Sequence, residues 1–429
     1  MARSFGLGLY RAATRLATPL GGAFLEWRAR RGKEDRERID ERKGLAGEDR
    51  PEGRLAWLHG ASVGEGLSLL PLVARLTARG FRVLVTTGTV TSARLMGERL
   101  PPGAIHQYMP LDLPLYVARF LDHWRPDIVL LSESELWPNV IAGLAGRKIP
   151  LVLANARMSA RSFSRWRRAA GPVREMLGRI DLCLAQSQED AARFLSLGAP
   201  RVQVAGNLKY DNPPPSADPA ETAALKAAIG ARPVWAAAST HVGEELIAGE
   251  AHVELAKRFP NLLTLIVPRH PQRADDIEAQ LNALGVRTAR RSQRAVLTAQ
   301  TAVYLCDTIG EMGLFLRLSP VVFIGKSLTG EGGQNPIEAA KLGCAILHGP
   351  HVSNCAESYE LLDDARGAAC VEDAEGLTKG LGVLLSDAAK LRAMARAALE
   401  AVSGQSGAGN RIMSALEPYI AQISVERRR

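Results

Sequence analysis

Several things are scarce in this 429-residue chain. Its five cysteines (Cys183, Cys306, Cys344, Cys355 and Cys370) are an odd number without a C-x-x-C pair, which argues against a disulfide framework or a cysteine zinc site and fits a reducing cytosol. Aromatic residues make up only 5%. No D-x-D triplet or H-E-x-x-H occurs, so a metal-bridged diphosphate or a zinc hydrolase lacks obvious ligands. Neither G-x-x-x-x-G-K-[ST] nor a G-x-G-x-x-G flanked by strand and helix is present, which weakens P-loop and dinucleotide readings. The N-terminus has no uninterrupted apolar core or small-residue cleavage site of a secretory signal, so the body of the protein is expected in the cytosol.

What is present is ordinary globular composition, 46% hydrophobic and 23% charged, with 40 Gly and 24 Pro dispersed rather than gathered into a low-complexity tract. The length exceeds what one hydrophobic core organises comfortably, so two domains are expected. Net charge is +9, unevenly placed. Residues 1–33 carry Arg3, Arg11, Arg15, Arg28, Arg30, Arg31 and Lys33 against Glu26 alone. A second cluster holds Arg157, Arg161, Arg165, Arg167, Arg168, Arg174 and Arg179 against Glu175. Such patches imply anionic partners.

In the N-terminal segment, Leu9, Ala12, Ala13, Leu16, Ala17, Leu20, Ala23, Phe24 and Trp27 recur at helical spacing, with Arg11, Thr14, Arg15 and Thr18 on the other face. A spanning helix needs about 20 mostly apolar residues, and two arginines, Glu26, Pro19 and Gly21-Gly22 make this a poor one. An interfacial amphipathic helix is the better physical reading, with Trp27 at headgroup depth and the Arg28–Lys33 cluster on anionic lipid. A surface helix docked on the protein, or an Arg-rich transit peptide, are the alternatives.

From Arg54 onward, short apolar runs alternate with helical patterns, which reads as βαβ units around parallel sheets. The runs are 55–58, 83–86, 128–131, 150–153, 182–185 and 202–205. A proline-rich polar stretch at 211–219 interrupts them, and the alternation restarts at 234–238, 262–267, 303–305, 321–324 and 345–347. The expected organisation is a membrane-associating helix with basic flank at 1–33, an N-terminal domain at 45–210 and a linker at 211–220. A second domain follows at 221–405, then a C-terminal helix and tail at 406–429. Two doubly wound α/β domains joined by a linker are expected to leave a cleft at the carboxyl ends of their strands, where such folds bind ligands.

The junctions after the strands carry the chemistry. His59-Gly-Ala-Ser-Val-Gly-Glu65 opens a helix, and Glu65 reads either as a first-turn carboxylate facing the helix dipole or as a general base. Glu133 and Glu135, two acids at i, i+2 beside Trp137 and Pro138, follow another strand. Asn155 and Ser159 end a further strand and lead into the second arginine cluster. Lys209 precedes the linker as a candidate oxyanion or phosphate stabiliser. In the second half, Ser239–Glu245 reads as a phosphate cradle at a helix start, and Pro268-Arg269-His270-Pro271 is a rigid basic turn. Asp307-Thr-Ile-Gly310-Glu311-Met312 opens a helix. Gly330–Glu338 is expected to place Asn335 as N-cap, Pro336 at N1 and Glu338 at N3. Four anion-suited junctions in one domain point to a nucleotide site.

Together these segments resemble the 3-deoxy-D-manno-octulosonic acid (Kdo) transferases of Gram-negative bacteria, from about Trp27 onward. The resemblance rests on H-G-A-S-V-G-E ending at Glu65, S-E-L-W-P-N ending at Asn139 and N-A-R-M-S-A-R ending at Arg161. It continues through G-N-L-K ending at Lys209, S-T-H-V-G-E-E ending at Glu245, P-R-H-P ending at Pro271, D-T-I-G-E ending at Glu311 and G-G-Q-N-P-I-E ending at Glu338. It implies a GT-B fold of two facing Rossmann-like domains and an inverting, metal-independent transfer of Kdo from CMP-Kdo. The implied acceptor is a lipid A precursor (lipid IVA) in lipopolysaccharide core biosynthesis, at the cytoplasmic side of the inner membrane, with no cofactor beyond the donor. The resemblance also implies that Glu65 is the base and that Glu133 and Lys209 stabilise the transition state. CMP would be held by Pro268 and Arg269, by Gly310, Glu311 and Met312, and by Asn335, Pro336, Ile337 and Glu338. Gln334 stands where the family often has His, and the N-terminal helix is less apolar than the family's usual anchor. Rival readings are another two-domain nucleotide-sugar enzyme, a soluble transferase or an epimerase, and an Arg-rich nucleic-acid-binding protein. Only Phe163 and Trp166 interleave the arginines, too little stacking surface for the last.

Overall fold

The computed structural model describes residues 5–330 and 332–426; Arg3 of the basic segment, Glu331 of the glycine junction and the last three residues of the expected tail lie outside them. The chain divides into two compact units, Met1–Asn212 with Ser406–Arg429, and Pro213–Gln405.

The first unit is built on seven strands: β1 (Leu55–His59), β2 (Arg82–Thr87), β3 (Ala104–Tyr108), β4 (Ile128–Ser132), β5 (Leu151–Ala156), β6 (Leu182–Ala185) and β7 (Val202–Val204). Their order is β3-β2-β1-β4-β5-β6-β7, parallel throughout. The chain winds one way from β1 to β3 and the other way from β4, so the topological switch lies between β1 and β4, paired from Ala56↔Ile128 to His59↔Leu131. Both sheet faces are covered. Leu55 and Trp57 enter one core cluster, Ala56 and Leu58 the other, which is why the strand reads as an unbroken apolar run rather than an alternating one. The helix Ala408–Glu426 belongs to this unit: Ala408, Ile412, Leu416, Ile420 and Ile423 pack beside Leu69, Leu72 and Leu76 of the helix Val63–Ala78.

Seven residues past Asn212, Pro219 begins the first helix of the second unit. Its strands are β8 (Val234–Thr240), β9 (Leu263–Pro268), β10 (Thr288–Arg290), β11 (Val303–Leu305), β12 (Val321–Ile324), β13 (Ala345–His348) and β14 (Ala368–Cys370). The order is β10-β11-β9-β8-β12-β13-β14, again parallel, with the switch between β8 and β12. Two Rossmann-like, doubly wound domains are therefore present, as the sequence implied. The last residues of the expected linker are helical instead: Asp218 accepts from Ala220 N (2.7 Å) and Glu221 N (3.1 Å) and starts the helix Pro219–Ile229 early.

The N-terminal segment is two helices, α1 (Phe5–Ala17) and α2 (Gly21–Arg30), joined by the turn Thr18–Leu20. Pro19 lacks an N–H and breaks the ladder there, so the expected single stripe is divided. One face docks on the first unit. Leu7, Leu25 and Ala29 are buried, Tyr10 donates to Asp112 Oδ2 (2.9 Å), and Asn139 Nδ2 donates to Thr14 Oγ1 (3.1 Å). Another face leaves Leu9, Leu16, Leu20, Phe24 and Trp27 exposed. No helix among the described residues is long and apolar enough to cross a membrane.

Candidate functional site

At the switch point of the first sheet, β1 ends in His59 and the turn Gly60–Ser62 feeds the helix Val63–Ala78. A Cβ on Gly60 would stand 3.0 Å from both the backbone C and the Cβ of Glu65, so only glycine lets the turn close this tightly. Ser62 is the N-cap, accepting from Glu65 N (3.4 Å), while the Glu65 carboxylate accepts from Ser62 Oγ (2.7 Å) and Ala61 N (3.0 Å). The arrangement differs from a capping box in that the Glu65 carboxylate takes the N–H of the residue before the N-cap rather than that of Ser62 itself. The same contacts hold the carboxylate in one orientation, partly open to solvent, at the end of the neighbouring strand pair.

Glu133 follows β4 in the left-handed region at φ 53°. A non-glycine residue there is strained, and such residues concentrate where a side chain must be aimed. Its side chain is 21% exposed and lies 3.8 Å from Lys209 Nζ. Burial pushes the Glu133 carboxyl above the usual carboxylate range. Lys209 and Arg157 pull it down, and the charges of Glu65 and Glu135 push it up further, leaving it raised. These couplings bring Glu65, Glu133 and Lys209 into one electrostatic cluster, and they add Arg157.

The turn also separates the two acids expected on one face. Burial raises the Glu135 carboxyl, but hydrogen bonds from His59 Nε2 (3.3 Å) and Trp137 Nε1 (2.8 Å) outweigh this and hold it below the ordinary range. Glu135 is thus engaged internally, and Glu133 faces the cations. Asn155, also at positive φ (51°), receives Leu208 N (2.9 Å) and so fixes the turn carrying Lys209. Arg157 carried only the general signal of the arginine cluster in the sequence. Its distinguishing mark, a place immediately after β5 beside Asn155, gains meaning once β5 is known to neighbour β4. Beyond it, Ser159 caps the helix Ala160–Arg168, where Arg161, Arg165, Arg167 and Arg168 are exposed and Phe163 and Trp166 lean on the core.

In the second unit the junction after β8 is not an open cradle. Glu244, 1% exposed, accepts from His241 N (2.9 Å), Lys326 N (2.7 Å), Ser327 N (2.9 Å) and Leu328 N (3.0 Å), so the chain's own carboxylate occupies those donors. Glu245 is likewise engaged by Thr240 and Arg273. A Cβ on Gly325 would lie 2.6 Å from Ser239 O and 2.8 Å from Glu244 Oε2, which is why glycine follows β12. Asp307 is held by Arg290 and Ser292, and Glu311 by both Nε (3.0 Å) and Nη2 (2.6 Å) of Arg291. Gly310, at φ 90°, is exposed beside it, and Met312 begins a seven-residue helix.

Arg269 follows Pro268 at the end of β9, exposed, and with Lys341 it is a cation facing Glu338. The start of the helix Ile337–Lys341 is one residue later than expected. Pro336, with φ −83° and ψ −14°, is the N-cap, and Asn335 Oδ1 accepts from Ile337 N (3.1 Å). Pro336 already has helical angles but no N–H, so the hydrogen-bonded turn begins after it. Gln334 pairs with His241 Nε2 (3.1 Å), and its carbonyl takes the Tyr359 hydroxyl (2.7 Å). Among the described residues, no three His, Cys, Asp or Glu side chains gather to hold a metal ion.

A family model described as 3-deoxy-D-manno-octulosonic-acid transferase (kdotransferase) matches residues 37–212. The chain is 36% identical over 427 residues to a 3-deoxy-D-manno-octulosonic acid transferase of Bordetella pertussis, covering 97% of this chain and 100% of that one. It is 33% identical over 392 residues to the enzyme of the same name from Haemophilus influenzae, covering 90% and 92%. Among solved structures, a UDP-GlcNAc 2-epimerase from Neisseria meningitidis bound to UDP-GlcNAc matches with a TM-score of 0.59 at 16% identity, over 85% of this chain and 100% of that one. That likeness concerns the fold.

Proposed function

The chain belongs to the 3-deoxy-D-manno-octulosonic acid (Kdo) transferase family, and from that premise we propose that it moves Kdo from CMP-Kdo to a hydroxyl of the lipid A precursor lipid IVA, with inversion and without a metal, at the cytoplasmic face of the inner membrane. The observation that carries the reading is the Glu65, Glu133, Lys209 and Arg157 cluster at the switch point of the first sheet.

In this mechanism the first unit receives the acceptor and the second holds CMP. Glu65, oriented by Ala61 N and Ser62 Oγ, takes the proton of the acceptor hydroxyl as its oxygen attacks the anomeric carbon. The bond from that carbon to the CMP phosphate oxygen breaks, and CMP leaves with the electron pair. Lys209 and Arg157 supply positive charge where negative charge develops, with Glu133 holding Lys209 toward the site. Arg269 binds the donor phosphate by a charge-assisted contact, and Gly310, Met312 and Asn335 offer backbone and amide groups to the nucleotide. Glu311 acts through shape, since Arg291 and Thr308 engage its oxygens.

The exposed leucines and aromatics of α1 and α2, with Arg31 over the Trp27 ring at 4.1 Å, suit an interfacial attachment to anionic lipid. The exposed arginines of helix Ala160–Arg168 suit the two phosphates of the acceptor. Purified protein incubated with CMP-Kdo and lipid IVA, with products resolved by mass, tests the reading. Kdo-extended lipid is the expected product, and no extension, or turnover of a UDP-sugar instead, overturns it.

A further inference from the structure

We propose that two adjoining cavities along α1 form one seat for the phosphorylated headgroup of an anionic lipid, with Arg11, Arg15, Lys43 and Arg119 around the phosphate. This rests on the membrane-surface reading of the N-terminal segment and names a specific site within it.

The seat is built by docking. Tyr10, Thr14 and buried Leu7 pin α1 to the first unit, and a Cβ on Gly6 would meet the Pro172 ring at 2.7 Å. Beside Leu7 to Arg15 of the pinned helix lies a cavity of about 430 Å³ lined by Arg11, Arg15 and Arg179. Further along, from Arg15 to Gly22, a cavity of about 790 Å³ is lined by Arg15, Lys43 and Arg119. Arg15 and Pro114 line both, so the two are continuous along the helix.

The charge is one-sided. Among the described residues, Glu175 is the only acid in either lining, and it is paired with Arg179. Lys43 pairs with exposed Asp40. The side chains of Arg11, Arg15 and Arg119 make no ion pair or hydrogen bond to any described residue. Guanidinium groups drawn together without a counter-charge repel one another, and a phosphate, carrying up to two negative charges and several acceptor oxygens, offsets that repulsion.

The surroundings select the rest of the ligand. Leu16 is 81% exposed, Leu20 68% and Leu115 45%, all on or next to the elements that line the larger cavity. Apolar side chains left in water beside a groove where three arginines lack a counter-charge fit acyl chains beneath a phosphate, a combination that a soluble phosphate or a nucleotide does not present. The sequence carried half of this signal, in Arg11 and Arg15. Lys43 and Arg119 join them only through the fold.

The test uses the full chain with Lys43→Ser and Arg119→Ser together, two substitutions outside α1 and outside the catalytic cluster, with an unchanged melting curve as the folding check. Phosphatidylcholine vesicles doped with phosphatidic acid, and soluble dihexanoyl phosphatidic acid, are the probes. The variant should lose on the order of tenfold or more in affinity for both probes, from two cationic contacts, while its weak binding to pure phosphatidylcholine stays the same. Unchanged affinity for phosphatidic acid overturns the seat. Inorganic phosphate binding as tightly as dihexanoyl phosphatidic acid overturns the lipid assignment. A Leu16→Ser, Leu20→Ser chain separates the two readings: loss of vesicle binding there, with none in the Lys43/Arg119 variant, leaves the membrane attachment standing and removes only the seat.

Discussion

The carboxyl ends of the two sheets treat charge in opposite ways. In the first unit, Glu133 and Lys209 stand 3.8 Å apart, and the charges of Glu65 and Arg157 act on the same carboxylate. In the second, Glu244, Glu245, Asp307 and Glu311 are each satisfied by an internal donor. A junction that gathers charges of both signs can act on a substrate during a reaction, taking a proton at one group and meeting developing charge at another. A junction whose carboxylates are consumed serves instead as a rigid frame, and only its unengaged groups, Arg269 and the segment at Asn335, remain for a nucleotide.

The largest effect should come from the open cluster. Glu65→Gln should cut transfer by roughly a hundredfold to ten-thousandfold, the usual contribution of a general base, while CMP binding by calorimetry stays unchanged. A near-normal rate would make Glu65 a capping residue and nothing more. Glu244→Ala probes the opposite side of the comparison. Each orphaned buried donor costs about 1–3 kcal/mol, and four are at stake, so the melting temperature should fall sharply and CMP binding with it. A variant that melts normally would mean the junction was free to receive a ligand after all.

Arg269→Ala comes next. A charge-assisted contact is worth roughly 1.5–3 kcal/mol, so CMP and CMP-Kdo should both weaken, on the order of tenfold to a hundredfold, with stability unaltered. The smallest effect is also a test of sign. The raised pKa of Glu133 means its ionised form is the disfavoured one in the folded state, so its contribution is greatest in acid and is lost as pH rises through that pKa. Glu133→Gln should therefore raise the melting temperature slightly at neutral pH and flatten this dependence, while slowing transfer. Lower stability at neutral pH would show that the pair with Lys209 outweighs burial.

Much of the fold was legible because parallel strands covered on both faces are short continuous apolar runs. β6, β11 and β12 begin and end where those runs do. The strands that were not anticipated, β3, β10 and β14, all lie at or beside sheet edges. There one flank is unpaired, and polar residues such as His106 and Gln107 or Thr288 and Arg290 interrupt the pattern. The N-terminal stripe was real as a periodicity, but periodicity does not say which face meets protein and which meets solvent. Buried Leu7 and Leu25 alongside exposed Leu16 and Leu20 answer that question only in three dimensions.

By itself the sequence determined the alternation of strand and helix, the glycine junctions at the strand ends and the family that their order spells out, because each motif is local and their order is that of the chain itself. Tertiary structure alone decided that Arg157 faces Glu133 and that Glu135 does not share its role. It also decided that Asn139 holds α1, that the C-terminal helix returns to the first sheet, and that Glu244 fills the donors of a loop 82 residues away. These pairings follow from strand order, which joins β1 to β4 and β8 to β12 across long crossovers. Local spacing carries no record of which strand will lie beside which.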